Sequence, residues 1–218
     1  MIWEVTDEQS KKIEGLIEDC NGKFYQTIDF GKVRIKGNFN SDHHLSHLKF
    51  MGKLEGAKVL DLGSNLGAVC LFALQKGATM VTGLEKNPYH ASKAHRLRDI
   101  LDIPYHKYIL LVEDFENVLR SLGSQDIIFA FSIAHHLKRM RSTLELIAER
   151  TRNMLVLEVV IKAEDDPKRV EEVANFGKSF TCYPSEEAFM NFFEDKFSKI
   201  IVDRSPKARN RKIFYLIK

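Results

Sequence analysis

The sequence predicts an α/β fold: a mostly parallel sheet with helices on both faces and an antiparallel hairpin at the end. Three observations carry this. Val59–Leu62 is a short apolar run suited to a buried parallel strand, and Gly63 and Gly67 bracket the turn that follows it. From Lys58 onward, strand-like and helix-like segments alternate, which is the pattern of a parallel sheet covered by helices. Lys199–Asp203 and Ile213–Ile217 read as strands joined by Arg204–Lys212 with no helix between, so the chain closes on a hairpin.

The elements follow in order. Thr6–Asp19 reads as an amphipathic helix with Ile13, Leu16 and Ile17 on one face. Thr6 is its N-cap, and Gln9 completes a capping box. Phe24–Ile35 alternates loosely as strand, with Gly31 at a turn. Residues 1–50 are expected to form an N-terminal helix and lid segment, and 51–218 the main domain, with no linker between them. After Gly67, Val69–Leu74 fits a buried helix ending near Gly77. Met80, Val81 and Leu84 give the next strand, with Glu85 at its carboxyl end. Pro88 then sits in the first turn of a helix. Further on, Phe189, Phe192 and Phe193 lie at helical spacing and predict a core face.

The glycine turn carries the chemistry. Gly63 and Gly67 let backbone pass close to a ligand where a Cβ would obstruct it. An acid roughly 20 residues further on, Glu85, is placed to accept both hydroxyls of a ribose. A dinucleotide requires G-x-G-x-x-G, so that its pyrophosphate meets a helix N-terminus, and Asn65 stands where the second glycine belongs. Asp61 brings a carboxylate to the same place. That repels a pyrophosphate and suits a cationic amino-acid or sulfonium group.

These residues resemble the first motif of the class I S-adenosylmethionine (SAM)-dependent methyltransferases: Val59-Leu60-Asp61-Leu62-Gly63-Ser64-Asn65-Leu66-Gly67. The later landmarks of that family arrive in order. Tyr108–Val112 resembles its third strand, followed by Glu113-Asp114-Phe115. Asp126–Phe131 resembles its fourth, followed by Ser132-Ile133-Ala134-His135-His136-Leu137. The likeness implies a Rossmann-like, mostly parallel seven-stranded sheet with a C-terminal antiparallel hairpin that a dinucleotide fold lacks. It also implies SAM as cofactor, held by Asp61, Gly63, Ser64, Asn65, Gly67, Glu85, Lys86, Asp114, Phe115 and Ser132. A narrower likeness, to the tRNA wobble-uridine carboxymethyltransferases, rests on Leu155–Glu158, Tyr183-Pro184-Ser185, Ile201-Val202-Asp203 and the basic segment after it. That group has Tyr-His-Arg where this chain has His135-His136-Leu137, which favours plain SAM over a carboxylated cofactor.

His135 and His136 follow the fourth strand, where open α/β sheets place their active residues, and a histidine titrates close enough to neutrality to serve as a base. They are the catalytic candidates. The alternative is that one packs on the cofactor while the other caps the next helix. His43 and His47 share a face if helical, but no carboxylate arrangement completes a metal site, and a lid role is expected there. Lys138, Arg139 and Arg141, with Lys207, Arg209, Arg211 and Lys212 in the hairpin loop, would form a phosphate-binding rim if they met. Phe176–Tyr183 is a candidate substrate wall.

The bulk properties fit one enzyme domain of 218 residues, 44% hydrophobic, long enough to bury a substantial core. A net charge of +3 does not by itself indicate nucleic acid. No run approaches the length of a membrane span, and the N-terminus lacks a signal-peptide pattern. Cys20, Cys70 and Cys182 read as reduced thiols of a cytoplasmic protein. No residue pattern assigns an oligomeric state. The expected activity is methyl transfer from SAM to an RNA acceptor, a tRNA base. A small-molecule acceptor and a non-catalytic SAM-fold binding protein are the alternatives.

Overall fold

A capping box starts the first helix. The computed structural model describes residues 3–48, 51–161, 185–205 and 211–218. In it, the Gln9 N–H donates to Thr6 Oγ1 and the Thr6 N–H donates to Gln9 Oε1, both at 3.1 Å. Two orphan donors of α1 (Asp7–Asp19) are thereby satisfied, and Asp7 and Glu8 complement the positive end of the helix dipole. The helix buries Ile13 and Leu16 and is followed by Asn21 and Gly22 in the left-handed region.

The chain divides into two units, Met1–Phe115 and Glu116–Lys218. In the first, β1 (Gln26–Asp29) pairs antiparallel with β2 (Arg34–Ile35) and parallel with β3 (Phe39–Asn40), and α2 (Asp42–His47) follows. Next come β4 (Lys58–Leu62), α3 (Ala68–Gln75), β5 (Met80–Leu84), α4 (Pro88–Ile100) and β6 (Tyr108–Leu111). The three strands are parallel, with Asp61 opposite Gly83 and Leu62 opposite Leu84. Val59, Leu60 and Leu62 are wholly buried, as a strand covered on both faces requires. Asn87 caps α4, its Oδ1 accepting the Tyr89 N–H at 3.0 Å, and Pro88 occupies the first turn. Ile13, Leu16, Phe24, Phe30 and Ile35 of the N-terminal elements share one apolar cluster with Leu66, Ala68, Leu71 and Leu97. Each such Ile, Leu or Phe side chain contributes roughly 1.5–3 kcal/mol on burial.

After the short α5 (Phe115–Val118), the second unit runs β7 (Gln125–Ala130), a 3₁₀ turn at Ala134–His136, α6 (Met140–Arg150), β8 (Thr151–Val160), α7 (Glu186–Phe193), β9 (Lys199–Arg204) and β10 (Arg211–Ile217). β7 and β8 are parallel, and β10 is antiparallel to both β8 and β9. Ser185 caps α7 through the Ala188 N–H at 3.0 Å. Its Phe189 and Phe193 are fully buried, with the Phe189 ring 4.1 Å from that of Phe214, so the expected core face is present. The seven strands of the main sheet lie in the order β6-β5-β4-β7-β8-β10-β9, mostly parallel with the terminal antiparallel hairpin and with helices around it. No described helix is long and apolar enough to cross a membrane.

The hairpin differs from expectation in one respect. Arg204, Arg211 and Lys212 are not loop residues: Arg204 ends β9, and Arg211 and Lys212 are strand residues of β10, opposite Val160 and Val159. They pair with the neighbouring strands, and each has a carboxylate for its charge, Glu158 for Arg211 and Glu186 for Lys212. Lys207, Arg209, Cys182, Tyr183, Pro184 and Phe176–Tyr183 as a whole lie outside the described residues. Cys20 and Cys70 are buried free thiols.

Gly67 tests this architecture. Its φ of +91° is left-handed, and a Cβ there would fall on the hydroxyl of the buried Tyr108. Gly67→Ala should cost about 1–2 kcal/mol from backbone strain alone, with the clash added. Urea denaturation measures it, and an unchanged midpoint would show that the turn is not held as described.

Candidate functional site

The turn after β4 is built so that each of its backbone donors already has an acceptor. The Gly63 and Ser64 N–H groups donate to the Leu84 carbonyl at 2.8 and 2.9 Å, and the Gly67 N–H donates to the Ser64 carbonyl at 2.8 Å. Asn65, left-handed at φ +51°, donates its N–H to Glu85 Oε2 at 2.9 Å. The Leu66 N–H is shared between Asn65 Oδ1 at 2.9 Å and Gln26 Oε1 at 3.1 Å, and the same Gln26 oxygen accepts the Ala68 N–H at 3.3 Å. A pyrophosphate loop needs such amides for its ligand. Here the six from Gly63 to Ala68 are bound by the protein.

Glu85 joins this turn to the next helix. Its Oε1 accepts the Asn87 N–H at 2.8 Å, and its backbone N–H donates to the Leu111 carbonyl at 3.1 Å. The carboxylate is 7% exposed and has one backbone donor on each oxygen. A carboxylate offers about four lone-pair positions, so capacity for hydroxyl donors remains. The bond to Leu111 also ties the end of β5 to the end of β6. Asp114 and Phe115 come just after β6, both partly buried, and Lys86 is exposed beside Glu85.

Asp61 lies at 3% exposure within β4, and its Oδ2 accepts the Cys70 thiol at 3.5 Å. Burial pushes its carboxyl up to about 7. The Cys70 hydrogen bond opposes this and the Glu85 charge adds to it. Burial likewise pushes the Cys70 thiol and the Tyr108 phenol up. Ser64 is fully buried, and its Oγ has no hydrogen-bond partner. Gly83 makes room for it, since a Cβ at that position would stand 2.8 Å from Ser64 Oγ and 3.2 Å from Cys70 Sγ. The first unit therefore brings together Asp61, Gly63, Ser64, Asn65, Gly67 and Glu85 at the carboxyl ends of two adjacent strands. A costly buried carboxylate and an orphaned hydroxyl stand among amides that cannot serve an anion. That arrangement fits a cationic, hydroxyl-bearing ligand.

The second unit holds Ser132, His135 and His136. Ser132 is left-handed at φ +56°. Its hydroxyl donates to Glu158 and accepts from Arg211 Nη1 at 3.1 Å. Glu158, on β8, is fully buried. It also accepts from the Ser205 hydroxyl and pairs with Arg211 at 3.2 Å. His136 is exposed in the 3₁₀ turn, its N–H on the Ile133 carbonyl at 2.8 Å, while the side chain of His135 lies outside the description. Lys138 and Arg139 donate their backbone N–H groups to the Glu116 carboxylate at 3.2 and 3.4 Å, and Thr143 donates its hydroxyl to it at 3.0 Å. A distant acid thus satisfies the start of α6, which has no cap of its own. In α2, His44 is buried 4.7 Å from the Phe39 ring, and the side chains of His43 and His47 lie outside the description. Sequence reading missed Gln26 and Arg211 as partners of the turn and of Glu158. The signal for Gln26 was a polar residue inside an otherwise strand-like run, and Arg211 was masked by the basic run it belongs to.

No protein-family model and no curated protein matches this chain in sequence. In structure it is similar to the N-terminal domain of EvdMO1, determined in the presence of SAH and D-fucose, with a TM-score of 0.68 and 14% identity over 98% of each chain. It is also similar to magnesium protoporphyrin IX methyltransferase (ChlM) from Synechocystis PCC 6803 with bound SAM, with a TM-score of 0.59 and 14% identity over 98% of this chain and 85% of that one. A third likeness is to the complex of the Haloferax volcanii Trm112 methyltransferase activator and its putative methyltransferase, with a TM-score of 0.58 and 17% identity over 80% of this chain and 88% of that one. The fold is that of the class I SAM-dependent methyltransferases.

Two outcomes test the site. The folded chain holds the Asp61 proton up to about pH 7, while the unfolded chain releases it near 3.8. The group therefore favours folding at low pH and loses that contribution as pH rises through this window. The stability of the unsubstituted chain relative to Asp61→Asn should fall from pH 4 to 7, and a flat difference in denaturant titrations removes the assignment. Arg211→Ala strands the buried Glu158 and should cost about 3–5 kcal/mol, with Arg211→Lys retaining part of it. A loss below about 1 kcal/mol, the value of an exposed pair, would show that Glu158 is not held by Arg211.

Proposed function

We propose that this chain is a SAM-dependent methyltransferase. The observation that carries the reading is the buried Asp61 beside a turn whose amides are all taken: the site holds an acid that a cation would ionise, and its turn amides are not free for a phosphate. Asp61 would face the cationic end of SAM, Glu85 the ribose hydroxyls, and Asp114 with Phe115 the adenine. Gly63, Ser64, Asn65 and Gly67 supply close backbone, and Lys86 and Ser132 complete the set. Bound SAM supplies a methyl group on a sulfonium, ready for displacement at carbon by a nucleophile. The chain's part is alignment, together with a base where the nucleophile must lose a proton. His135 and His136 are the candidates for that base.

The acceptor we infer is a small molecule. The rim expected to bind RNA phosphates loses Arg211 to Glu158 and Lys212 to Glu186, while Arg141 lies 3.4 Å from Glu145. Guanidinium and ammonium groups already neutralised by carboxylates add little to phosphate affinity. The structurally similar proteins include a porphyrin methyltransferase and one determined with a sugar, which supports a metabolite over a tRNA base.

Labelled-methyl SAM incubated with the chain and a crude cell extract tests both statements. Label should enter a low-molecular-weight product and survive RNase. Label confined to RNase-sensitive material would overturn the small-molecule reading, and SAM binding without incorporation into any pool would favour a non-catalytic role.

A further inference from the structure

Gln26 lies 40 residues before the turn, on a strand of the small N-terminal sheet rather than on the main one. Its Oε1 accepts from both the Leu66 and the Ala68 N–H groups, at 3.1 and 3.3 Å. α3 begins at Ala68, and its N-cap is Gly67, which has no side chain to cap with. The amide of Gln26 supplies an acceptor there from a distance, next to Asn65, which is left-handed with its N–H on Glu85.

The strand carrying Gln26 is itself fixed. Thr27 Oγ1 accepts the Gly37 N–H at 2.8 Å, and a Cβ on Gly37 would fall on the Gln26 carbonyl group, so only glycine allows that approach. Ile28, Phe24 and Phe30 around it share the buried cluster with Leu66, Ala68 and Leu71. An acceptor on a rigid, packed strand holds its partner to a narrower geometry than one on a loop.

We propose that Gln26 is a positioning residue for cofactor binding: its amide oxygen sets the Asn65–Ala68 turn and, through Asn65, the Glu85 carboxylate. This rests on the methyltransferase reading above. It gives the N-terminal segment a part in cofactor binding that a lid alone would not have.

The test compares Gln26→Met, which keeps length and packing but has no oxygen, with Gln26→Glu, which keeps length and places a carboxylate at a helix N-terminus where it is favoured. Amide hydrogen exchange of Leu66 and Ala68, measured without ligand, should accelerate in Gln26→Met and stay slow in Gln26→Glu. The dissociation constant for SAM by calorimetry should rise about tenfold in Gln26→Met, as expected when the Ala68 N–H loses its acceptor and the Leu66 N–H keeps only Asn65 Oδ1, and remain near the unsubstituted value in Gln26→Glu. In turnover, KM for SAM should rise with kcat little changed. Unchanged exchange and equal SAM affinity in all three proteins overturns the assignment. So does equal weakening in both variants, which would mean that bulk rather than the oxygen matters. If the unsubstituted chain binds no SAM, the methyltransferase reading falls, and the exchange rates still decide whether Gln26 holds the turn.

Discussion

Six consecutive backbone N–H groups, Gly63 to Ala68, all have acceptors, five of them from outside the turn and the Gly67 N–H from the Ser64 carbonyl within it, and the first unit's chemistry depends on that constraint. The Leu84 carbonyl comes from the neighbouring strand, the Glu85 carboxylate from just beyond it, and the Gln26 amide from the small sheet. Each buried donor would cost about 1–3 kcal/mol if left unpaired, so the turn cannot move without several acceptors moving with it. Rigidity of this kind lets a site be formed before its ligand arrives. The glycines at 63 and 67 permit the path, and the acceptors select it.

The same arrangement explains why an acid can stay buried next to it. Asp61 has a thiol for a neighbour and a second carboxylate, Glu85, near enough to raise its proton affinity. Ionised, it is costly to hold there; protonated, it is neutral. A cation resolves the conflict, because it favours the ionised form while using none of the amides already spent. Ser64 Oγ, buried without a partner, adds a donor–acceptor group to the same place. Charge and donor supply thus argue together for a cationic ligand, although neither was chosen to fit the other.

What the sequence made legible was local. Thr6 and Gln9 sit three apart and form their capping box, Pro88 opens its helix, and Phe189, Phe192 and Phe193 turn to the core, because each depends on neighbours within one or two turns. The strand, the glycine turn and the acid after the next strand were legible for the same reason: their spacing is set by one βαβ unit. Partners separated by long stretches of chain were hidden. Gln26 reaches 40 residues to Leu66, Arg211 reaches 53 to Glu158, and Glu116 reaches 22 to the start of α6. None of these pairings has a period, and each becomes visible only when the fold brings the elements together. The raised carboxyl of Asp61 is hidden in the same way, since burial rather than residue type produces it.

Arg211 shows how far that matters for function. Counted along the sequence, it belongs to a basic run, and a basic run invites a phosphate partner. In the fold it is a strand residue, its side chain 15% exposed and its guanidinium committed to a carboxylate that is wholly buried. Removing it from Glu158 to serve a phosphate would leave that carboxylate uncompensated in the interior, at a cost several times the worth of an exposed ion pair. The same guanidinium also fixes the Ser132 hydroxyl, just before the turn that carries His135 and His136. Its charge is therefore spent on holding the second unit's polar cluster in shape.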